Sequence, residues 1–301
     1  MTVVLIESFL TLVELRNFTK AANKLCISQS ALTHRMNLLE EEIGLKLISR
    51  SRGNRSLGLT QAGTEFISIA NRWLNLSRDT KNFKSDFHQL KLSVASIESI
   101  SLILGPFFSE QAFIPSAERN ITLDIHVFPS LQVMESIENF EVDIGFTALQ
   151  RASKYLKIEP IFREKHYLIG NLQSDIRTID PRTLDPNKEL ITNWSTDYMH
   201  WHDDYLGPTT RPLLAVETAL LAASFMKEGV WCIVPSCTVA FLQRASLFYG
   251  HSIQVYDMTD APPDRICYKI THVSPRANRI ESIRYFEKNL RIFLKQNQLY
   301  L

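Results

Sequence analysis

The stretch Phe18-Thr19-Lys20-Ala21-Ala22-Asn23-Lys24-Leu25-Cys26-Ile27-Ser28-Gln29-Ser30-Ala31-Leu32-Thr33 decides how this chain is read. Thr19 is a suitable N-cap for a short helix that turns Ala22 and Leu25 inward. Ser28 caps the next helix, which runs to about Glu42 with Leu32, Met36 and Leu39 on its apolar stripe and Gly44 just past its end. Only Cys26 and Ile27 lie between Leu25 and Ser28, and so short a connection forces a sharp helix-turn-helix corner. Upstream, Leu5, Phe9, Leu12 and Val13 recur at helical spacing, and Asn17 can end that first helix.

Opposite its apolar stripe, the Ser28-capped helix carries Gln29, Ser30, Thr33, His34 and Asn37. Polar side chains on one face reach base edges and phosphates when a helix lies in the major groove. The bland alternative is a solvated helix face, and the next segment weighs against it. Between Leu47/Ile48 and Leu57/Leu59 runs Arg50-Ser51-Arg52-Gly53-Asn54-Arg55, which predicts a β-hairpin with a basic tip. Its arginines are placed to clamp the phosphate backbone or enter the minor groove, so the pattern is that of a winged helix-turn-helix. From Thr60 onward, Phe66, Ile69, Trp73, Leu76, Thr80, Phe83, Phe87 and Leu90 alternate at steps of three and four. Such a coiled-coil seam requires a partner helix, most simply that of a second chain, with Phe66, Ile69, Trp73, Leu76 and Phe83 as the dimerisation residues.

Composition agrees with a folded protein of several parts. At 301 residues the chain is long enough for two or three domains, and its 45% hydrophobic and 22% charged content argues against disorder. No apolar run approaches the roughly 18 residues that cross a bilayer, and the N-terminus lacks a secretion pattern, so a cytoplasmic location is expected. The four cysteines (Cys26, Cys232, Cys237, Cys267) are too few and too irregular for a disulfide framework or a zinc ribbon. The net charge of +1 hides an asymmetry: residues 1–90 hold 12 basic against 8 acidic side chains, and the remainder 21 against 24. Positive charge concentrated at one end fits a polyanionic partner.

After Leu90, strand-like runs (92–96, 121–127, 143–147, 167–170, 190–192, 231–234) alternate with helical ones (102–109, 131–139, 218–227, 277–295), which predicts parallel βαβ units.

On these residues the chain resembles a known family. Phe18-Thr19-Lys20-Ala21-Ala22, Ser28-Gln29-Ser30-Ala31-Leu32-Thr33, Leu38-Leu39-Glu40-Glu41-Glu42-Ile43-Gly44 and Leu59-Thr60-Gln61-Ala62-Gly63 make residues 1–90 similar to the N-terminal region of LysR-type transcriptional regulators. The likeness continues more weakly through Asp143-Ile144-Gly145-Phe146 and Gly229-Val230-Trp231-Cys232-Ile233-Val234-Pro235. The resemblance implies an all-α winged helix-turn-helix in 1–58 and a dimerisation linker helix in 59–90. It implies an α/β two-lobed periplasmic-binding-protein-like effector domain in 91–301, with lobe 1 about 91–162 and 266–301 and lobe 2 about 163–265. The implied partners are double-stranded DNA at an inverted-repeat promoter site, a small-molecule effector acting allosterically, a second copy as dimer or dimer of dimers, and RNA polymerase as a further candidate. No cofactor is implied.

Carried over by position, Gln29 and Thr33 face bases, Ser30 and Arg50 phosphates, and Arg52 and Arg55 the wing contacts, with His34 and Arg35 as further DNA-binding candidates. Where the family usually has Ser-Arg-Gln after Ala-Leu, this chain has Thr33-His34-Arg35, which turns the arginine about 100° further around the helix. Effector candidates are Ser96, Glu98, Ser99, Ser130, Thr147, Ser195, Thr196 and Thr218, hydroxyls and helix starts that suit anions or act as plain N-caps. Glu98 repels an anionic ligand, so the expected effector offers a cationic or hydrogen-bond-donating group.

Three other readings compete with this one. His200, His202, Asp203 and Asp204 suggest a metal, but the two histidines diverge by about 200° on a helix, and Trp194, Tyr198, Trp201 and Tyr205 suggest packing instead. Cys232 and Cys237 raise a redox-sensing regulator, although no basic residue stands near them in sequence and buried, inert thiols are the simpler reading. A small-molecule-binding protein without a DNA role leaves the first 90 residues unexplained. No glycine-rich phosphate loop, nucleophile elbow or metalloprotease pair points to an enzyme.

Overall fold

The computed structural model describes residues 2–49, 58–86, 90–113, 121–172, 176–207 and 211–299. The chain divides near residue 88 into two compact units.

The first unit begins with α1 (Val3–Leu15), α2 (Phe18–Lys24) and α3 (Gln29–Ile43). Asn17 serves here as the N-cap of α2, its side-chain oxygen accepting the Lys20 N–H at 3.0 Å, while α1 ends on Arg16 in a left-handed conformation. Thr19 lies inside α2 and is not its cap, because Asn17 already holds the extended backbone that a cap needs. Ser28 caps α3 by accepting the Ala31 N–H at 3.1 Å, and Gly44 closes it at φ +75°. A small antiparallel hairpin follows, β1 (Ile48–Ser49) with β2 (Gly58–Leu59), and then α4 (Gln61–Asp86), which Thr60 caps through the Gly63 N–H. Leu5, Ile6, Phe9, Leu12, Leu32, Met36, Leu39, Leu47 and Phe66 close the core of this unit.

The second unit runs β3 (Leu90–Ser96), α5 (Glu98–Phe113), β4 (Ile121–Val127), α6 (Ser130–Glu138), β5 (Ile144–Thr147), β6 (Leu156–Glu164), β7 (His166–Gly170), β8 (Thr178–Ile179), β9 (Leu190–Ile191), α7 (Thr196–Leu206), β10 (Leu214–Ala215), α8 (Ala219–Ala223), β11 (Trp231–Pro235), α9 (Ser236–Phe248), β12 (Gln254–Met258), β13 (Arg265–His272) and α10 (Ile280–Gln296). One lobe holds a five-stranded sheet ordered β4-β3-β5-β13-β6, and the other a four-stranded sheet ordered β11-β7-β12-β8. The chain passes from the first sheet to the second between β6 and β7, and returns between β12 and β13.

The expected all-parallel pattern is corrected. β3 is parallel to β4 and β5, but β13 lies antiparallel to β5 and β6, and β7 antiparallel to β11 and β12. The returning strand β13 enters the first sheet from the opposite end, and no βαβ spacing in the sequence announces it. Each lobe has its own apolar core, around Phe107, Phe146, Phe162 and Phe286 in one and around Leu168, Tyr198, Trp231 and Leu242 in the other.

Candidate nucleic-acid interface and inter-lobe site

The helix α3 sorts its side chains by phase. Leu32, Met36 and Leu39 are buried, while Gln29, Ser30, His34 and Asn37 are exposed and Thr33 is half-buried beside them. Several of these polar groups are already steadied: Gln29 Oε1 accepts from the Thr19 hydroxyl at 3.2 Å, Thr33 Oγ1 donates to the Gln29 carbonyl at 3.0 Å, and the Ser28 and Ser30 hydroxyls lie 2.9 Å apart. Such contacts restrict the rotamers of this polar face.

Arg35 does not belong to that face. About 240° around the helix from Gln29, it points toward α1, where its Nη1 donates to Ser8 Oγ at 3.2 Å. The Arg35 guanidinium is thus engaged with α1, apart from the face that carries Gln29, Ser30 and Thr33.

Behind α3 the hairpin is anchored by a residue the sequence reading passed over. Glu40 is buried in the last turn of α3, and its Oε1 accepts the N–H groups of Leu47 at 2.9 Å and Ile48 at 3.1 Å. Its Oε2 accepts from Lys46 Nζ at 2.6 Å. Burial pushes this carboxyl up, but the lysine and the two backbone donors outweigh it and hold the group below the usual carboxylate range. On the other side, Thr60 donates its hydroxyl to the Lys46 carbonyl at 2.6 Å and its N–H to the Leu47 carbonyl at 3.0 Å. Gly63 packs so closely there that a Cβ would overlap the Leu47 carbonyl oxygen. Arg50, Arg52 and Arg55 lie outside the described residues.

Along α4, Phe66 is 6% exposed and meets Phe9 edge-on with ring centroids 5.3 Å apart. It is committed to the core of its own unit, which corrects its expected place in a seam. Ile69 and Leu76 are 50% and 63% exposed, Trp73 is half-buried, and the Phe83 side chain lies outside what is described. The exposed apolar positions of α4 thus start at Ile69, one turn after Phe66.

In the second unit a buried polar cluster sits where the chain crosses between the lobes. Arg265 and Glu164 are 1% and 2% exposed; Arg265 Nε donates to Glu164 Oε1 at 2.7 Å, and Nη2 bonds the same oxygen. Arg265 also donates twice to Ser99 Oγ at 3.1 Å, tying the start of α5, while Glu164 Oε2 accepts the Cys237 N–H at 3.1 Å, tying the start of α9. Burial raises the Glu164 carboxyl, and the Arg265 charge together with these donors more than reverses that. His166 stacks on Tyr198 at 5.4 Å; burial, helped by the Arg265 charge, lowers its pKa to about 4.

The predicted effector residues fall into two groups. Ser195 and Thr218 are plain N-caps, accepting the Tyr198 and Leu221 N–H groups, and buried Thr147 accepts the Leu149 N–H. Ser130 and Thr196 open α6 and α7, and Ser96 is buried at the end of β3. Ser99 and Glu98 instead join the lobes: Glu98 Oε2 accepts the Ala219 N–H at 3.0 Å, a bond between residues 121 positions apart.

Of the residues that suggested a metal, His202 is buried, whereas His200, Asp203 and Asp204 are exposed. His202 Nε2 lies 3.0 Å from Glu189 Oε1 in the core of one lobe, and that carboxylate raises the imidazole pKa against the effect of burial. Among the described residues, no group of three or more His, Cys, Asp or Glu is placed to hold a metal. Burial pushes the Cys232 and Cys237 thiols up, the opposite of what a reactive thiolate needs. Among the described residues, no helix is long and apolar enough to cross a membrane.

A helix-turn-helix unit with a short wing, followed by a two-lobed α/β unit, defines a class of regulator. Residues 4–64 match the family model for the bacterial regulatory helix-turn-helix protein, lysR family. The chain is 26% identical over 278 residues to the glycine cleavage system transcriptional activator homolog of Haemophilus influenzae, covering 89% of this chain and 87% of that one. It is 28% identical over 278 residues to the transcriptional regulator BenM of Acinetobacter baylyi, covering 86% and 85%. Among solved structures, full-length CbnR in complex with its target DNA matches with a TM-score of 0.64 at 19% identity over 97% of this chain and 99% of that one. A full-length OxyR variant from Pseudomonas aeruginosa gives 0.58 at 18% identity over 97% and 98%. Residues 4–64 thus carry the lysR-family helix-turn-helix, and over most of its length the chain is similar to transcriptional regulators that have it.

Proposed function

We propose that this protein binds an inverted-repeat duplex through paired α3 helices and that a small molecule held by its two-lobed unit modulates the binding allosterically. The observation that carries the reading is the phase of α3, which offers Gln29, Ser30, Thr33, His34 and Asn37 on one face while its apolar residues lock the opposite face. Arg50, which follows β1 in sequence, is assigned to phosphates, and Arg52 and Arg55 to the wing contacts, on residue type and sequence position alone. The exposed Ile69 and Leu76 of α4, with Trp73, support a homo-oligomer, because a large apolar stripe on a polar helix is stable in water only when a partner covers it. The protein acts in the cytoplasm, where its DNA is, as a regulator and not as an enzyme.

For the effector, Glu98 narrows the chemistry. Its carboxylate already takes the first N–H of α8, the donor an anion would seek, so the favoured ligand presents a cationic or hydrogen-bond-donating group to the other oxygen. Titration of amines and of carboxylates into the wild type and Glu98→Gln, followed by thermal shift, tests this: equal affinities in both proteins would reject it.

The DNA reading is tested by mobility shift on the sequence upstream of the protein's own gene. Two half-sites about one helical turn apart are expected. Binding should weaken steeply with salt, with a slope of about −0.9 per phosphate neutralised. A purified protein that stays monomeric and ignores every duplex at low salt overturns it.

A further inference from the structure

We propose that Glu98 and Leu102 form a latch across the two lobes of the second unit, closing them through contacts that the chain makes with itself. The lobes are joined covalently at two crossings, through Lys165 between β6 and β7 and through residues 259–264 between β12 and β13. Two bodies with separate apolar cores on paired crossings make a hinge. Opening is then opposed by the contacts that span the lobes, and α5 supplies them.

Helix α5 is divided between the two bodies. Ile100, Leu104, Phe107 and Phe108 sit in the core of the first lobe, whereas Leu102 packs against the core of the second. Glu98 lies four residues before Leu102 and so shares its face. Its Oε2 accepts the Ala219 N–H at 3.0 Å. A helix cannot satisfy its first N–H from within, and the cap residue Thr218 is already engaged, its Oγ1 by the Leu221 N–H and its carbonyl by that of Ala222. Ala219 is buried, so its N–H depends on the carboxylate that arrives from the other lobe.

The ion pair of Arg265 with Glu164 has a different place. These residues stand opposite each other on neighbouring strands of the first sheet, and a hinge motion carries them together. The start of α9, which meets Glu164 through the Cys237 N–H, also donates from Ser236 N–H to the Lys165 carbonyl at 2.9 Å, so it sits at the pivot itself. Glu98 and Ala219 belong to opposite sides of that pivot. Their bond is charge-assisted and therefore stronger than one between neutral groups. The bond and the apolar contact of Leu102 are each of a size that shifts a two-state balance about tenfold. A molecule enters between the lobes through the open fraction, and the latch thus sets its apparent affinity.

The test uses the full chain carrying Cys26→Ser, spin-labelled through Lys288→Cys on α10 in the first lobe and Asp204→Cys on α7 in the second, both exposed positions. Labelled protein is diluted into unlabelled protein, so that double electron–electron resonance reads the distance within one chain, and no small molecule is added. Glu98→Ala and Leu102→Ala should each shift the distance distribution in the same direction, and the double variant further. Glu98→Gln keeps an acceptor oxygen and should shift it less. Hydrogen exchange of the Ala219 amide, read by mass spectrometry on peptides spanning 217–223, should rise about tenfold or more in Glu98→Ala. Faster exchange with an unchanged distance makes Glu98 a helix cap and nothing more, and overturns the inference, as does a folded Glu98→Ala in which neither quantity moves. If Glu98→Ala fails to fold by circular dichroism, Glu98→Asp replaces it, a carboxylate set back by one methylene that should give the same shift. Since no ligand enters the measurement, its failure is distinct from that of the effector reading, which stands or falls by its own titration.

Discussion

Glu40 in the first unit and Glu164 in the second are both buried carboxylates at junctions, and they are held in opposite ways. Glu40 draws on residues six to eight positions away, two of its donors are neutral, and its lysine reaches solvent. Glu164 draws on Cys237 and Arg265, 73 and 101 positions away, and its arginine is as buried as itself. The first arrangement forms as soon as the chain turns; the second forms only when both lobes and both crossing strands are in place. A charge near water tolerates loss of its partner, whereas a charge in the interior does not.

The largest effect that would sharpen this contrast is expected from Arg265→Ala. It leaves Glu164 buried and unpaired, and urea unfolding of the second unit should show a loss of about 3–5 kcal/mol. Adding Glu164→Gln to that variant should recover much of the loss. No recovery would mean that packing, and not charge, holds the crossing together.

Next comes the pH dependence of His166, which faces Glu164, Arg265 and Tyr198. Its pKa is depressed from 6.5 to about 4 on folding, so the unfolded chain binds more protons between those values. Stability from this group is whole above pH 6.5 and falls as the pH drops toward 4, by about 3 kcal/mol in all. Stability curves of wild type and His166→Phe should therefore converge, or cross in favour of the variant, on acidification; parallel curves break the prediction.

Gly63→Ala tests the local junction by sterics instead of charge. The added Cβ meets the Leu47 carbonyl, so the first unit should lose about 1–3 kcal/mol by thermal unfolding, with the second unit unaffected. The smallest effect expected is from Ser28→Ala, about 1 kcal/mol for one helix cap, read in the same unfolding curve of the first unit.

The same difference in range explains what the sequence disclosed. Ser28, Gly44 and Thr60 declare helix ends because a cap bonds to a residue three positions on, and the apolar phase of α3 needs no distant partner. The Arg35 bond to Ser8 was not legible, because it depends on how α1 packs against α3, and the place of Phe66 was not, because one apolar residue can serve either a seam or a core. Asn17 was legible as a boundary but not as to which helix it served. Strands β6, β12 and β13 and the helix α9 went unread, since β13 takes its place only by pairing with segments more than a hundred residues earlier. The polar cluster at the crossing was invisible for the same reason: nothing in the spacing of Ser99, Glu164, Cys237 and Arg265 hints that they meet.

Of the four cysteines, Cys26 alone is exposed, at φ +54° in the corner that leads into α3. A maleimide dye placed on it would stand beside the reading face while the remaining thiols, shielded within the lobes, stay unlabelled at short reaction times. The fold thus furnishes a natural optical reporter, one that registers occupancy of the groove without a single engineered substitution.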